Sequence, residues 1–133
     1  MSVFHRFKQY LKYRIKAKSR HGVHSPFVYD FAEKVLRDKS DKNLEARIID
    51  YFGHSQILFL ERNRLAEFER LHPKLNSQSV VIIRSIHESK TQTIEWEKIH
   101  SQPEVRLSID LFKIGLLFFR DDFKVKQHFI LKT

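Results

Sequence analysis

Three short apolar runs limit what this chain can fold into: Ile57-Leu58-Phe59-Leu60, Val80-Val81-Ile82-Ile83 and the nearly continuous Ile114 to Phe119. Each is bounded by turn-forming or charged residues and is too short for a buried helix, so each reads as a strand. Strands this apolar need cover on both faces. The segments between them supply it. Arg64 to Leu71 places Leu65, Phe68 and Leu71 on one side of a helix that Pro73 ends, and Lys90 to His100 carries Ile94, Trp96 and Ile99.

After Pro103 the period changes. Val105, Leu107, Ile109 and Leu111 alternate with Arg106, Ser108 and Asp110, which predicts a strand with one wet face. "RDDFKVK" reads as a polar bend, and His128 to Leu131 as a last strand. Strand, helix, strand, helix and then a run of strands indicates an α/β sheet with a parallel portion closed by antiparallel strands.

Helices precede this sheet. Residues 3–18 predict an amphipathic helix with Phe4, Phe7, Leu11 and Ile15 on one stripe. In "SRHGVHSPF", Gly22 ends that helix, and Ser25-Pro26 starts another as N-cap and first helical residue. The second helix runs to about Asp38 and buries Phe27, Val28, Phe31, Val35 and Leu36; after the polar link "DKSDKN", Leu44 to Phe52 makes a third, stopped at Gly53. The expected organisation is residues 1–40 as N-terminal helices and 41–133 as the α/β core, in a single compact unit. A chain of 133 residues suits one domain with a modest core.

Charge is concentrated at one end. Residues 1–29 hold seven cations (Arg6, Lys8, Lys12, Arg14, Lys16, Lys18 and Arg20) and no acid, whereas the other 104 residues hold 18 cations and 16 acids. These seven are the candidate anion-binding residues. Nucleic acid, contacted non-specifically with Tyr10 and Tyr13 stacking on bases, is one partner they fit, and an anionic membrane surface is another. A helix packed on its own domain or a twin subunit, with its cations in water, accounts for the same pattern. No apolar run is long enough to span a membrane. With no cysteines there is no disulfide, thiolate metal site or cysteine nucleophile, which fits a cytoplasmic protein.

Other motifs carry less. His21 and His24 could share a metal only on one helical turn, and Gly22 with the Ser25-Pro26 cap argues for a loop. Asp121-Asp122 reads as a solvated strand end, so no metal is expected. Trp96 lies among charged residues and reads either as half exposed or as packed on the sheet.

"HGVHSPFVYDFAEKVL" near the start, with "SVVIIRSIHESK", "EWEKI", "PEVRLSIDLFKIGLLFFR" and "KQHFIL" later on, resembles a group of bacterial class I S-adenosylmethionine (SAM)-dependent methyltransferase-like proteins. The likeness covers roughly residues 5–38 and 65–132. It implies a Rossmann-like sheet whose last two strands form an antiparallel hairpin, and residues 105–120 have the pattern for one. The resemblance also implies a glycine-rich turn where the backbone approaches SAM. Here the glycines are Gly22, Gly53 and Gly115, and none follows an apolar strand to open a helix. "IIDYFGHSQILFLERNRL" reads as the entry to the first strand joined directly to a later helix. At about 30 residues per βαβ unit, a full sheet needs on the order of 200 residues. The expectation is a truncated Rossmann-like sheet.

Such a chain is expected to be a degenerate methyltransferase-like protein, non-catalytic and without a cofactor. It would act as a binding or structural partner, through a homodimer or a protein partner across the sheet edge that truncation exposes. A second reading is an active SAM-dependent methyltransferase whose cofactor site is atypical or completed by a partner. A third is a basic module binding RNA or membrane through residues 4–20.

The site candidates follow from where strands end, because open α/β sheets bind ligands at strand carboxyl ends. His87 is the catalytic candidate, against the ordinary reading of a loop histidine bonded to backbone. Glu61 and Ser85 are the candidates for a residual cofactor contact. The resemblance implies acids where Arg84-Ser85 stand, and a guanidinium can neither ligate a metal nor take a proton.

Overall fold

The computed structural model describes His5, Arg6, Gln9, residues 25–37 and residues 42–133. His5, Arg6 and Gln9 are helical; the rest of the helix expected over 3–18 lies outside the described residues, as do His21, Gly22, His24 and Asp38. Helix α1, Pro26–Phe31, starts as the sequence requires, with Ser25 Oγ accepting from the Val28 amide at 3.4 Å. It continues as a π-helical turn, Ala32–Leu36, and buries Val28, Phe31 and Val35. Helix α2, Leu44–Phe52, is capped by Asn43 and stopped by Gly53 at φ 92°. That backbone conformation favours glycine.

The core then alternates as expected: β1 Ile57–Leu60, α3 Arg64–Leu71, β2 Val80–Arg84, α4 Lys90–His100, β3 Leu107–Asp110, β4 Ile114–Phe118 and β5 Gln127–Ile130. These make one open five-stranded sheet in the order β1-β2-β4-β3-β5. β1 runs parallel to β2 and β5 parallel to β3, while β4 lies between β2 and β3, antiparallel to both. The hairpin pairs Leu107 with Phe118 and Asp110 with Gly115. As its apolar run predicts, β4 is central and buried throughout.

Alternation along the strands divides the core in two. Val80, Ile82, Leu107, Ile109, Leu116 and Phe118 face α1 and α2, where Phe27 and Phe52 join them. Val81, Ile83 and Leu117 face α3 and α4, packing on Phe68, Trp96 and Ile99. Burial of this order stabilises a side chain by about 1.5–3 kcal/mol. Asn63, in the left-handed region at φ 44°, gives α3 no side-chain cap. Glu95 of α4 takes that role, accepting from the Leu65 amide at 3.2 Å and from Arg64 Nη1 at 3.2 Å.

One expectation is corrected, and one alternative is decided. The polar positions of β3 are not wet: Ser108 and Asp110 are as buried as their apolar neighbours. α4 lies over that face, and each polar group has a partner, Ser108 with His128 and Asp110 with His87. Of the two readings of Trp96, packing on the sheet holds: it is 1% exposed, because its ring lies over Gly115 of β4. The charges of Glu95 and Glu97 belong to other sides of the helix.

β5 is fastened through His128. Its Nδ1 shares a 2.6 Å hydrogen bond with Ser108 Oγ, and its ring stacks on His100 at 4.1 Å and 8°. Desolvation of the stacked ring, then the neighbouring His100, pushes His128 down from 6.5 to about 4, although the residue as a whole is exposed on the edge strand. Burial also lowers His100. A histidine depressed in the fold stabilises it above its unfolded pKa, and that contribution fades as pH falls toward the folded value. Melting temperature should therefore start to drop below about pH 6.5 and keep falling to about pH 4. Replacing His128 with glutamine should flatten this limb in thermal melts followed by circular dichroism; an unchanged limb would refute the assignment.

Candidate functional site at the carboxyl end of strand β2

Strands β1, β2 and β3 run in one direction, so their carboxyl ends share one edge of the sheet. At that edge Arg84 ends β2. Its Nε donates to Glu45 Oε2 at 3.0 Å and its Nη2 to Glu45 Oε1 at 2.5 Å. Nη1 donates to Glu61, and the guanidinium lies 4.4 Å from the centroid of Phe59. The hydrogen bond from Arg84 holds the Glu45 carboxyl below its ordinary pKa. Arg84 thus ties the start of α2 and the end of β1 to β2. Glu61, a candidate cofactor contact, is instead a partner of Arg84.

Beyond Arg84 the chain turns sharply. Ser85 is left-handed at φ 58°, and its amide donates to the Lys113 carbonyl at 2.8 Å, locking the turn to the β3–β4 connection. Ile86 is buried, and His87 turns inward.

His87 is not bonded to backbone. It is buried among side chains from three elements: Nε2 donates to Asp110 Oδ2 at 2.7 Å, Nδ1 meets Thr93 Oγ1 of α4 at 3.0 Å, and Phe112 stacks on the ring at 5.6 Å. The side chains of His87 and Asp110 are only 8% and 7% exposed. Thr93 also donates to the Ile86 carbonyl at 3.2 Å and lies 2.8 Å from His5 Nε2. The other Asp110 oxygen accepts from the Phe112 amide at 2.8 Å. Both ring nitrogens of His87 thus face side chains of the fold.

Asp110, Thr93 and His5 were not candidates from sequence. Asp110 lies 23 residues from His87, and its place in an alternating strand argued for solvent. The only available signal was that it ends β3 at the same sheet edge where β2 ends.

A small cavity of about 190 Å³ opens beside this network, lined by Arg6, Ser85, His87, Glu88, Phe112 and Lys113. It brings together two sequence candidates, Ser85 and His87, with one cation of the basic segment. Arg6 Nη1 is 3.6 Å from Glu88 Oε1. The other six cations, Lys8, Lys12, Arg14, Lys16, Lys18 and Arg20, lie outside the described residues.

Comparison with protein-family models, curated proteins and solved structures finds no match. Among the described residues no three metal-capable side chains gather, and no helix is long and apolar enough to cross a membrane.

Proposed function

We propose that this chain is a degenerate SAM-dependent methyltransferase-like protein with a truncated Rossmann-like sheet, acting as a non-catalytic binding or structural partner. The state of His87 carries the reading. The one side chain suited to acid–base work at the strand end is only 8% exposed and turns its nitrogens to Asp110 and Thr93, and Arg84 before it is clasped by two carboxylates. The residues that would do chemistry there hold the fold together. The β3–β4 hairpin that the resemblance implies agrees with this descent.

The partner surface in this reading is the outer edge of β1. Among the described residues nothing pairs with it, and Leu58 on that strand is 38% exposed. An apolar end strand without proline or lysine invites strand addition.

Calorimetric titration with SAM and S-adenosylhomocysteine tests the cofactor half of the proposal. No saturable heat is expected at protein concentrations that detect micromolar affinity. One-to-one binding would overturn the reading and restore the enzyme. Light scattering on the same sample tests the partner half: a homodimer supports pairing of two copies, and a monodisperse monomer counts against it.

A further inference from the structure

We propose that the cavity beside His87 is a binding site for a small oxyanion, of which phosphate is the model, held by Lys113, Arg6 and Ser85. The inference does not depend on descent from a methyltransferase and stands whether or not SAM binds.

The side chains around the cavity have the required chemistry. Of its three charged residues, two are cations. Neither the Lys113 ammonium nor the Ser85 hydroxyl bonds to another described residue. Arg6 is half exposed and reaches Glu88 only at 3.6 Å, so an oxyanion could displace that loose contact for a forked one. A point charge, a forked donor and a hydroxyl from separate parts of the chain suit a compact anion with several acceptor oxygens. Size points the same way. A water occupies about 30 Å³ of liquid, so the 190 Å³ present has room for a phosphate group.

The cavity is also built rather than incidental. Ser85 and Phe112 are two of only three non-glycine residues with positive φ among the described residues, at 58° and 68°, and both line it. Such conformations persist only where the surroundings impose them, and they gather at sites. Here the restraints are visible. The Ser85 amide is held by Lys113, the Phe112 amide by Asp110, and the Phe112 ring by His87. The His87–Asp110 pair therefore positions the wall of the cavity without itself meeting the ligand through nitrogen.

Glu88 makes the proposal sharper, because a carboxylate at the rim opposes an anion. Neutralising it as Glu88→Gln should tighten binding, and reversing the cation as Lys113→Glu should weaken it by roughly tenfold or more. The experiment is a two-dimensional NMR titration of the full chain with inorganic phosphate at low ionic strength, and in parallel with O-phosphoserine. Saturable shifts are expected at the amides of Ser85, Phe112 and Lys113 and on the His87 ring, with the two variants moving affinity in opposite directions. Both variants alter half-exposed or exposed side chains, and an unchanged melting temperature verifies that they fold. Equal affinity for the two probes means that the site reads the oxyanion alone, and tighter binding of the ester means that it reads a phosphate on a larger ligand. Absence of saturable shifts overturns the proposal. So do shifts centred on residues 8–20, or an affinity that Lys113→Glu leaves unchanged.

Discussion

Replacing Asp110 with alanine will destabilise the fold by roughly 2–5 kcal/mol, the cost of leaving two buried donors without an acceptor. The loss is large because Asp110 satisfies two buried donors with one carboxylate. Without it the His87 Nε2–H and the Phe112 amide, 2.7 and 2.8 Å from its oxygens, lose their protein acceptor. Asparagine should be far milder. Its amide oxygen can keep the Phe112 amide, and its NH2 can donate to His87 Nε2 if the ring moves its proton to Nδ1 and donates to Thr93 instead. Urea unfolding of Asp110→Ala and Asp110→Asn, read by tryptophan fluorescence and circular dichroism, measures the gap. Similar losses for the two would mean that the buried charge, not the hydrogen-bond pattern, matters at this position.

The second large effect is expected at Gly115, for a reason of space alone. A Cβ on this residue would lie 2.4 Å from Trp96 Cη2 and 2.5 Å from Cζ3, distances that no side chain tolerates. Gly115 sits in the central strand, hydrogen-bonded into the ladder opposite Ile83 and Asp110, so the backbone cannot retreat. Trp96 must move, and with it α4. Overpacking of this kind costs about 1–3 kcal/mol, so Gly115→Ala should lose at least the upper half of that range. The same substitution in a Trp96→Phe background should cost less, because the smaller ring clears the new methyl. A double-mutant cycle showing coupling of about 1 kcal/mol or more supports the contact, and additive losses would refute it.

These two residues also show where the sequence could and could not be read. The end of α3 and the limits of α4 follow from the sequence because local chemistry sets them: Pro73, the Ser89 cap and the apolar period. β1 and β2 are legible because continuous apolar runs leave few other options. The face of β3 was misread for the opposite reason. Alternation reports that two faces differ, but not that the polar one meets solvent, and here Ser108 and Asp110 meet histidines 20 and 23 residues away. Trp96 was ambiguous because its flanking glutamates, one of them paired with Arg64, conceal an inward position. His87 and Ser85 were placed correctly at a strand end. What holds them, and which cavity they line, depends on contacts between β2, α4 and the β3–β4 turn that no local window contains.

The position of β4 has a consequence for how the molecule is assembled. Its neighbours on either side, β2 and β3, both precede it in the chain, so as the polypeptide leaves the ribosome they are complete while the slot between them is still empty. Until Phe118 has emerged, no continuous sheet exists, and β2 and β3 each present an unpaired apolar border. The hairpin formed by residues 107–118 is local and can close first, whereas its docking along β2 is a longer-range step and is expected to be the slower one. Nascent chains stalled before residue 114 should therefore be the species that chaperones must hold.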